Sequence, residues 1–179
     1  MGMYVTAVLW GFAEGTLFFF VPDVFLSAAG LVDSRRSIIA CYYALAGALL
    51  GGTVMYFWGI KDPVGVLQIL DAIPGISLHM IGKVQADLAD LGAWGVFKGP
   101  LGGVPYKIYA AQAHAAQVGL ASFLLASIPA RLGRFLAVTI IAPKVIKRLG
   151  PKRSTKQNMA ILLAAWAVFY VFYFISKSQ

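Results

Sequence analysis

Apolar residues in this chain come in long runs, and the polar residues that interrupt them sort those runs into two kinds. Two runs carry no charge and meet the length of about 20 residues that a helix needs to cross a bilayer: Ser37 to Gly59, and Asn158 to Ile175. A third, Leu120 to Ile141, is long enough but holds Pro129, Arg131 and Arg134 near its middle. It reads as a spanning helix with one polar face.

The other apolar stretches are broken. Tyr4 to Val32 is interrupted by Glu14, Gly15, Pro22 and Asp23, and Ala93 to Val118 by Lys98, Gly99, Pro100, Gly102, Gly103, Pro105 and Lys107. Each predicts two half-length pieces around a Gly/Pro tip, a re-entrant helical hairpin, with Pro22 and Gly30 shaping the first and Gly103 and Pro105 the second. Irregular backbone of that kind survives at membrane depth only where protein or a water-filled cavity shields it. Between the hairpins, Asp62 to Lys83 has apolar runs too short to cross, so it predicts an interfacial or short helical connector, followed by an amphipathic piece with Asp87 and Asp90.

The order is hairpin, span, connector, hairpin, span, final span. This predicts an all-α integral membrane fold of one polytopic domain over residues 1–179. Its first repeat occupies 1–60, with the acidic hairpin; a connector fills 61–92; the second repeat occupies 93–143, with the arginine-bearing helix; and an extra transmembrane helix covers 157–176. Charge orients the repeats. Arg35 and Arg36 precede the first full span, and six of the fifteen basic residues crowd between Lys144 and Lys156, which reads as a cytoplasmic loop. Both ends then lie inside, so the two repeats are inverted, an arrangement that in secondary transporters places the site at their interface.

Composition agrees with the pattern. At 60% hydrophobic and 12% charged residues, the chain is too apolar for a soluble domain of 179 residues. The net charge of +8 raises nucleic acid as a partner, but the cations form no stripe interleaved with stacking aromatics, so nucleic acid is not expected. Cys41 stands alone and cannot make an intrachain disulfide. The N-terminal stretch lacks a basic n-region and a small-residue cleavage site, so it reads as mature structure. A multi-pass protein of the inner or plasma membrane is expected.

The charges inside those runs demand an account. Glu14, Asp23, Lys107, Arg131 and Arg134 all fall at predicted membrane depth. Insertion scales assign roughly 2.5 to 3.5 kcal/mol to one such group at a helix centre, so four would cost on the order of 10 kcal/mol, as much as a typical domain's whole stability. They are expected to face a shared polar cavity and to pair with one another or with a ligand. Arg131 and Arg134, three residues apart, share a helical face with Ser127, and two guanidinium forks suit a phosphate or pyrophosphate. A structural lock with the acids, or snorkelling to an interface, is the alternative. Glu14 and Asp23 are the complementary acids and candidates for proton exchange, although Asp23 could instead cap the helix that follows Pro22.

Lesser signals point to structure. Gly47 and Gly51 form a G-x-x-x-G pair suited to close helix packing. His79 and His114 are isolated, so no metal is expected; Gly99 to Lys107 lacks the ending of a phosphate loop; Trp58 and Trp166 read as interface anchors or packing. No cofactor and no catalytic residue are expected.

At these residues the sequence resembles the DedA family, also called the SNARE-associated or VTT-domain family. The resemblance rests on Glu14 leading into Val21, Pro22 and Asp23, then Leu26, Ala29 and Gly30. It continues through Gly47, Gly51 and Gly52 with Tyr56 and Gly59, and then through Gly103, Pro105, Lys107, Phe123, Ser127, Arg131, Arg134 and Phe135. It covers roughly residues 10 to 140. It implies paired re-entrant hairpins, recycling of undecaprenyl phosphate and proton-dependent envelope homeostasis in bacterial members, and phospholipid scrambling in eukaryotic ones. Essential acids would be Glu14 and Asp23, and essential arginines Arg131 and Arg134.

The combined expectation is a flippase for polyprenyl phosphate, not an enzyme. Arg131, Arg134, Lys107 and Ser127 would bind the anionic lipid, and Glu14 and Asp23 would pair ions and exchange protons. A phospholipid scramblase, an intramembrane phosphatase using His114, and a structural or assembly protein stay open as alternatives, as does a homo-oligomer.

Overall fold

The computed structural model describes residues 2–150 and 152–177, and these form helices joined by short turns, with no strand among them. In chain order the helices are α1 (Gly2–Gly15), α2 (Asp23–Val32), α3 (Ser34–Lys61), α4 (Pro63–Asp71) and α5 (Leu78–Leu91). A 3₁₀ segment (Gly92–Phe97) follows, then α6 (Lys98–Gly102), α7 (Tyr106–Gln112), α8 (Leu120–Leu149) and α9 (Thr155–Lys177). Three of them, α3, α8 and α9, are long and apolar enough to cross a membrane.

Local chemistry sets the boundaries. Asp33 is the only residue between α2 and α3, and its side chain caps α3 by accepting from the Arg36 N–H at 3.0 Å. Asp62 does the same for α4, accepting from Gly65 N–H at 2.9 Å with Pro63 in the first helical position. Gly103, with φ +65°, ends α6 in the left-handed conformation that glycine adopts without strain, and Pro105 then starts α7.

One boundary differs from expectation. Only part of the basic run from Lys144 is a loop: α8 continues to Leu149, so Lys144, Lys147 and Arg148 ride its last turns, where cations favour the carbonyl end of the helix, while Lys152 and Arg153 lie in the connection and Lys156 in the first turn of α9. The connector consists of short helices, and part of it is internal. Val66 and Leu70 of α4, with Met80, Val84 and Leu88 of α5, are buried in the largest apolar core, together with Tyr106, Ile108, Tyr109 and Phe123.

Packing fixes the directions. α1 lies parallel to α3 along a seam of small residues, because Gly11 and Gly15 of α1 face Ala44, Ala48 and Gly51 of α3. A Cβ at Gly51 would sit 2.6 Å from the Phe12 carbonyl oxygen, and one at Gly47 would overlap the Val8 carbonyl outright. The expected G-x-x-x-G contact is present, and its partner is a second such pair, Gly11 and Gly15. α2 folds back beside α1, with Trp10 stacked on Phe25, and runs parallel to α8. α8 is antiparallel to α3: Phe123 stacks on Tyr56 near one end, and Cys41 Sγ meets Thr139 Oγ1 at 3.3 Å near the other. At Gly30 a Cβ would lie 2.7 Å from Thr139 O, a carbonyl left without its helical partner because Pro143 has no N–H. The start of α3 and the basic end of α8 therefore share one end of the molecule.

Candidate functional site

The turn between α1 and α2 and the turn between α6 and α7 meet in the middle of the molecule, beside the centre of α8. Lys107 Nζ, on the first turn of α7, donates to the carbonyl of Phe18 in the other turn at 2.7 Å. Arg134 is the fifteenth residue of the thirty in α8, about 21 Å from its start at 1.5 Å per residue.

Four of the five charges expected at membrane depth form two ion pairs across more than a hundred residues of sequence. Arg131 grips Glu14 with both terminal nitrogens, Nη1 on Oε1 at 3.2 Å and Nη2 on Oε2. Its guanidinium carbon also lies 4.7 Å from the centroid of Tyr106 and 4.9 Å from that of Phe135, so two rings enclose the cation. Arg134 takes Asp23 differently. Its Nε donates to Asp23 Oδ2 at 2.8 Å and Nη2 approaches the same oxygen, which leaves Asp23 Oδ1 with no hydrogen-bond partner among the described residues. Asp23 is thus an ion-pair residue and not a cap; Pro22 occupies the cap position, with no side-chain cap bond.

The two arginines are not equivalent. Arg131 has only 3% of its side chain exposed, against 27% for Arg134. A cavity of about 570 Å³ opens beside Arg134, with Glu14, Asp23 and Lys107 also at its polar end, while the rest of its wall is apolar and comes chiefly from α8 and α9. Arg131 does not line it. Nor does Ser127, which is buried and donates to its own helix at Phe123 O, 2.7 Å away. The expected pair of forks around one phosphate is therefore split: the spacing of three places both side chains on neighbouring faces, but Glu14 and two rings draw Arg131 inward. Gly103 and Pro105 lie in the turn between α6 and α7 and line the cavity, Pro22 precedes α2 at its cap position, and Gly30 lies not in a turn but inside α2, against α8.

Charge at this site does not balance. Glu14 and Asp23 are taken by the two arginines, while buried Lys107 is within ion-pair distance of no carboxylate among the described residues.

Sequence reasoning missed the placement of two groups. Trp166, read as an interface anchor or packing residue, lines the cavity from α9 together with Tyr170 and Tyr173; their spacing of four and three is a helical stripe that could have been read. Trp166 Nε1 donates to Ser27 Oγ at 3.0 Å, and Val21 N–H donates to the Tyr170 hydroxyl at 3.0 Å, which ties α9 to α2 and to the turn before it. The second group is buried Asp87, which accepts from Lys98 Nζ at 2.9 Å and from the Tyr109 hydroxyl at 2.8 Å. It pins α5 to α6 and α7, and no spacing rule links those three positions.

Comparison with known proteins adds little chemistry. No family model matches the chain, and no solved structure matches it. A protein of Haemophilus influenzae described only as uncharacterized is 26% identical over 179 residues, spanning 96% of this chain and 90% of that protein. The chain is similar to it along almost its whole length.

Proposed function

We propose that this protein is a multi-pass cell-membrane flippase for an anionic lipid, with polyprenyl phosphate as its substrate, and that it is a divergent relative of the DedA family. The observation that carries the reading is the uncompensated cation: Lys107 sits buried at the polar end of an otherwise apolar cavity, which Arg134, held by a single oxygen of Asp23, also lines. An isolated charge at that depth is costly unless an anion joins it, and a phosphate there would meet both a lysine and a guanidinium fork. Apolar walls suit the rest of a lipid. Arg131 and Glu14 hold the helices in register, and Asp23 holds Arg134 between turnovers, releasing it when a phosphate or a proton takes its place.

The membrane architecture belongs to the same proposal. α1 and α2 form the first re-entrant hairpin and the segment from Gly92 to Gln112 the second. They precede α3, which leaves the basic end, and α8, which returns to it. Chain directions in the two halves are therefore opposite, the arrangement of inverted repeats, and their tips meet where the ions are.

The test is reconstitution in liposomes with a fluorescent polyprenyl phosphate, following its loss from the outer leaflet with a membrane-impermeant quencher. Arg134→Ala and Lys107→Gln should each slow transport at least tenfold. Full-rate transport by both variants would overturn the reading, and equal movement of neutral phospholipid would point to a scramblase instead.

A further inference from the structure

We infer that the slot between α8 and α9 is the subsite for the substrate's hydrocarbon chain, and that the chain lies from Arg134 toward the basic end of the molecule. This inference rests on the anionic-lipid reading and adds where the chain goes and from which leaflet it comes.

Along α8 the slot is lined at Ala137, Val138, Ile141, Ala142, Val145 and Ile146, a single stripe at helical spacing. From Arg134 to Ile146 is twelve residues, roughly 18 Å of helix, and the facing stripe on α9 from Leu162 to Tyr173 matches it. The walls are apolar throughout. The polar atoms of Trp166 and Tyr170 are turned into the bonds with Ser27 and Val21, so the slot receives their rings. Alanines 137, 142 and 165 supply the width. Charge lies at one end only, with Glu14, Asp23, Lys107 and Arg134.

Two features select the occupant. Ile141, Val145 and Phe169 line the slot and are also among the exposed large hydrophobic residues, at 57%, 47% and 50%. The slot is therefore open sideways, along its length, to the surface that would face lipid. A chain can slide in without threading. At the inner end the ionic cluster holds three cations, Lys107, Arg131 and Arg134, against the two acids, a balance of +1 with every group charged. A helix from a second copy would bring nothing for that excess, and neither would a neutral lipid. An anionic head group carrying an apolar chain matches both ends. Because the slot runs from mid-molecule toward Arg35, Arg36 and the cationic end of α8, the chain belongs to the leaflet on the basic side.

Photolabelling of the full chain in liposomes tests this directly. A prenyl phosphate with a diazirine in its chain is compared with the matching prenyl alcohol, and adducts are mapped by mass spectrometry. The phosphate should label residues 137–146 and 162–173 at least fivefold more than the alcohol does, and excess unlabelled prenyl phosphate should compete. Arg134→Gln should bring the two probes to equal labelling. Ala142→Trp, which fills the slot and leaves the ions intact, should lower labelling there at least tenfold while a five-carbon prenyl phosphate, too short to need the slot, still protects Arg134 from a guanidine-directed reagent. Equal labelling by both probes in the wild type, or adducts concentrated elsewhere, overturns the subsite. Phosphate-dependent labelling of the slot without any transport would instead leave the subsite standing and remove the flippase reading.

Discussion

At the scale of single residues, two arginines three positions apart have different work. Both were legible in the sequence as intramembrane charges with acidic partners, because depth alone makes an unpaired ion costly. What the sequence could not reveal is which arginine would be sealed. That depends on Tyr106 and Phe135 closing over Arg131, contacts between residues that local spacing does not connect. A buried ion pair is worth little against an apolar replacement, yet removing one member strands the other and costs about 3–5 kcal/mol. Arg131→Met and Glu14→Leu should therefore each lower the thermal unfolding midpoint in detergent sharply, while the double variant recovers most of the loss. Additive losses in that double-mutant cycle would show that the two side chains do not act as a pair.

At the scale of helices, the spans and broken stretches were readable because hydrophobic length and Gly/Pro interruption are local properties. Helix ends were less so: Lys144 breaks the uncharged run, but the helix goes on to Leu149, since basic residues extend its last turns as readily as apolar ones. The contact of α1 with α3 was half legible, in Gly47 and Gly51, and its other half lies in Gly11 and Gly15. Backbone approach this close cannot accommodate a methyl group. Gly47→Ala should destabilise the fold by about 1–3 kcal/mol, the usual range for forced overpacking. Gly82→Ala, on α5 with nothing within 4 Å of the added carbon, should be neutral or stabilising by about 1 kcal/mol through helix propensity alone. Thermal unfolding of the two variants side by side checks the contrast; equal effects would mean that the seam tolerates separation.

For the whole molecule, sidedness decides which leaflet the slot faces. α3 begins and α8 ends at one extremity, where Ser37, Gly30, Thr139 and Pro143 converge, and this places Arg35 and Arg36 at the same end as Lys144, Lys147 and Arg148. Eight-residue extension of α8 past Ile141 moves those cations clear of the apolar run rather than away from this end. The opposite extremity carries the turn between α7 and α8, held by the Tyr56 hydroxyl donating to Val118 O at 3.0 Å. Positive residues are retained on the cytoplasmic side of a bilayer, so the basic extremity should be inside and the α7–α8 turn outside. Single cysteines at Arg35, Arg148 and Ala115, each exposed and placed in a Cys41→Ser background, decide this with a membrane-impermeant maleimide. Intact spheroplasts should label only the Ala115 position, and permeabilised ones all three. Labelling of Arg35 and Arg148 from opposite sides would break the antiparallel pairing of α3 with α8, and with it the meeting of the two turns that brings Lys107 to the cavity. A uniform reversal of all three would leave the fold intact and move the hydrocarbon slot to the outer leaflet, turning the proposed direction of lipid uptake around.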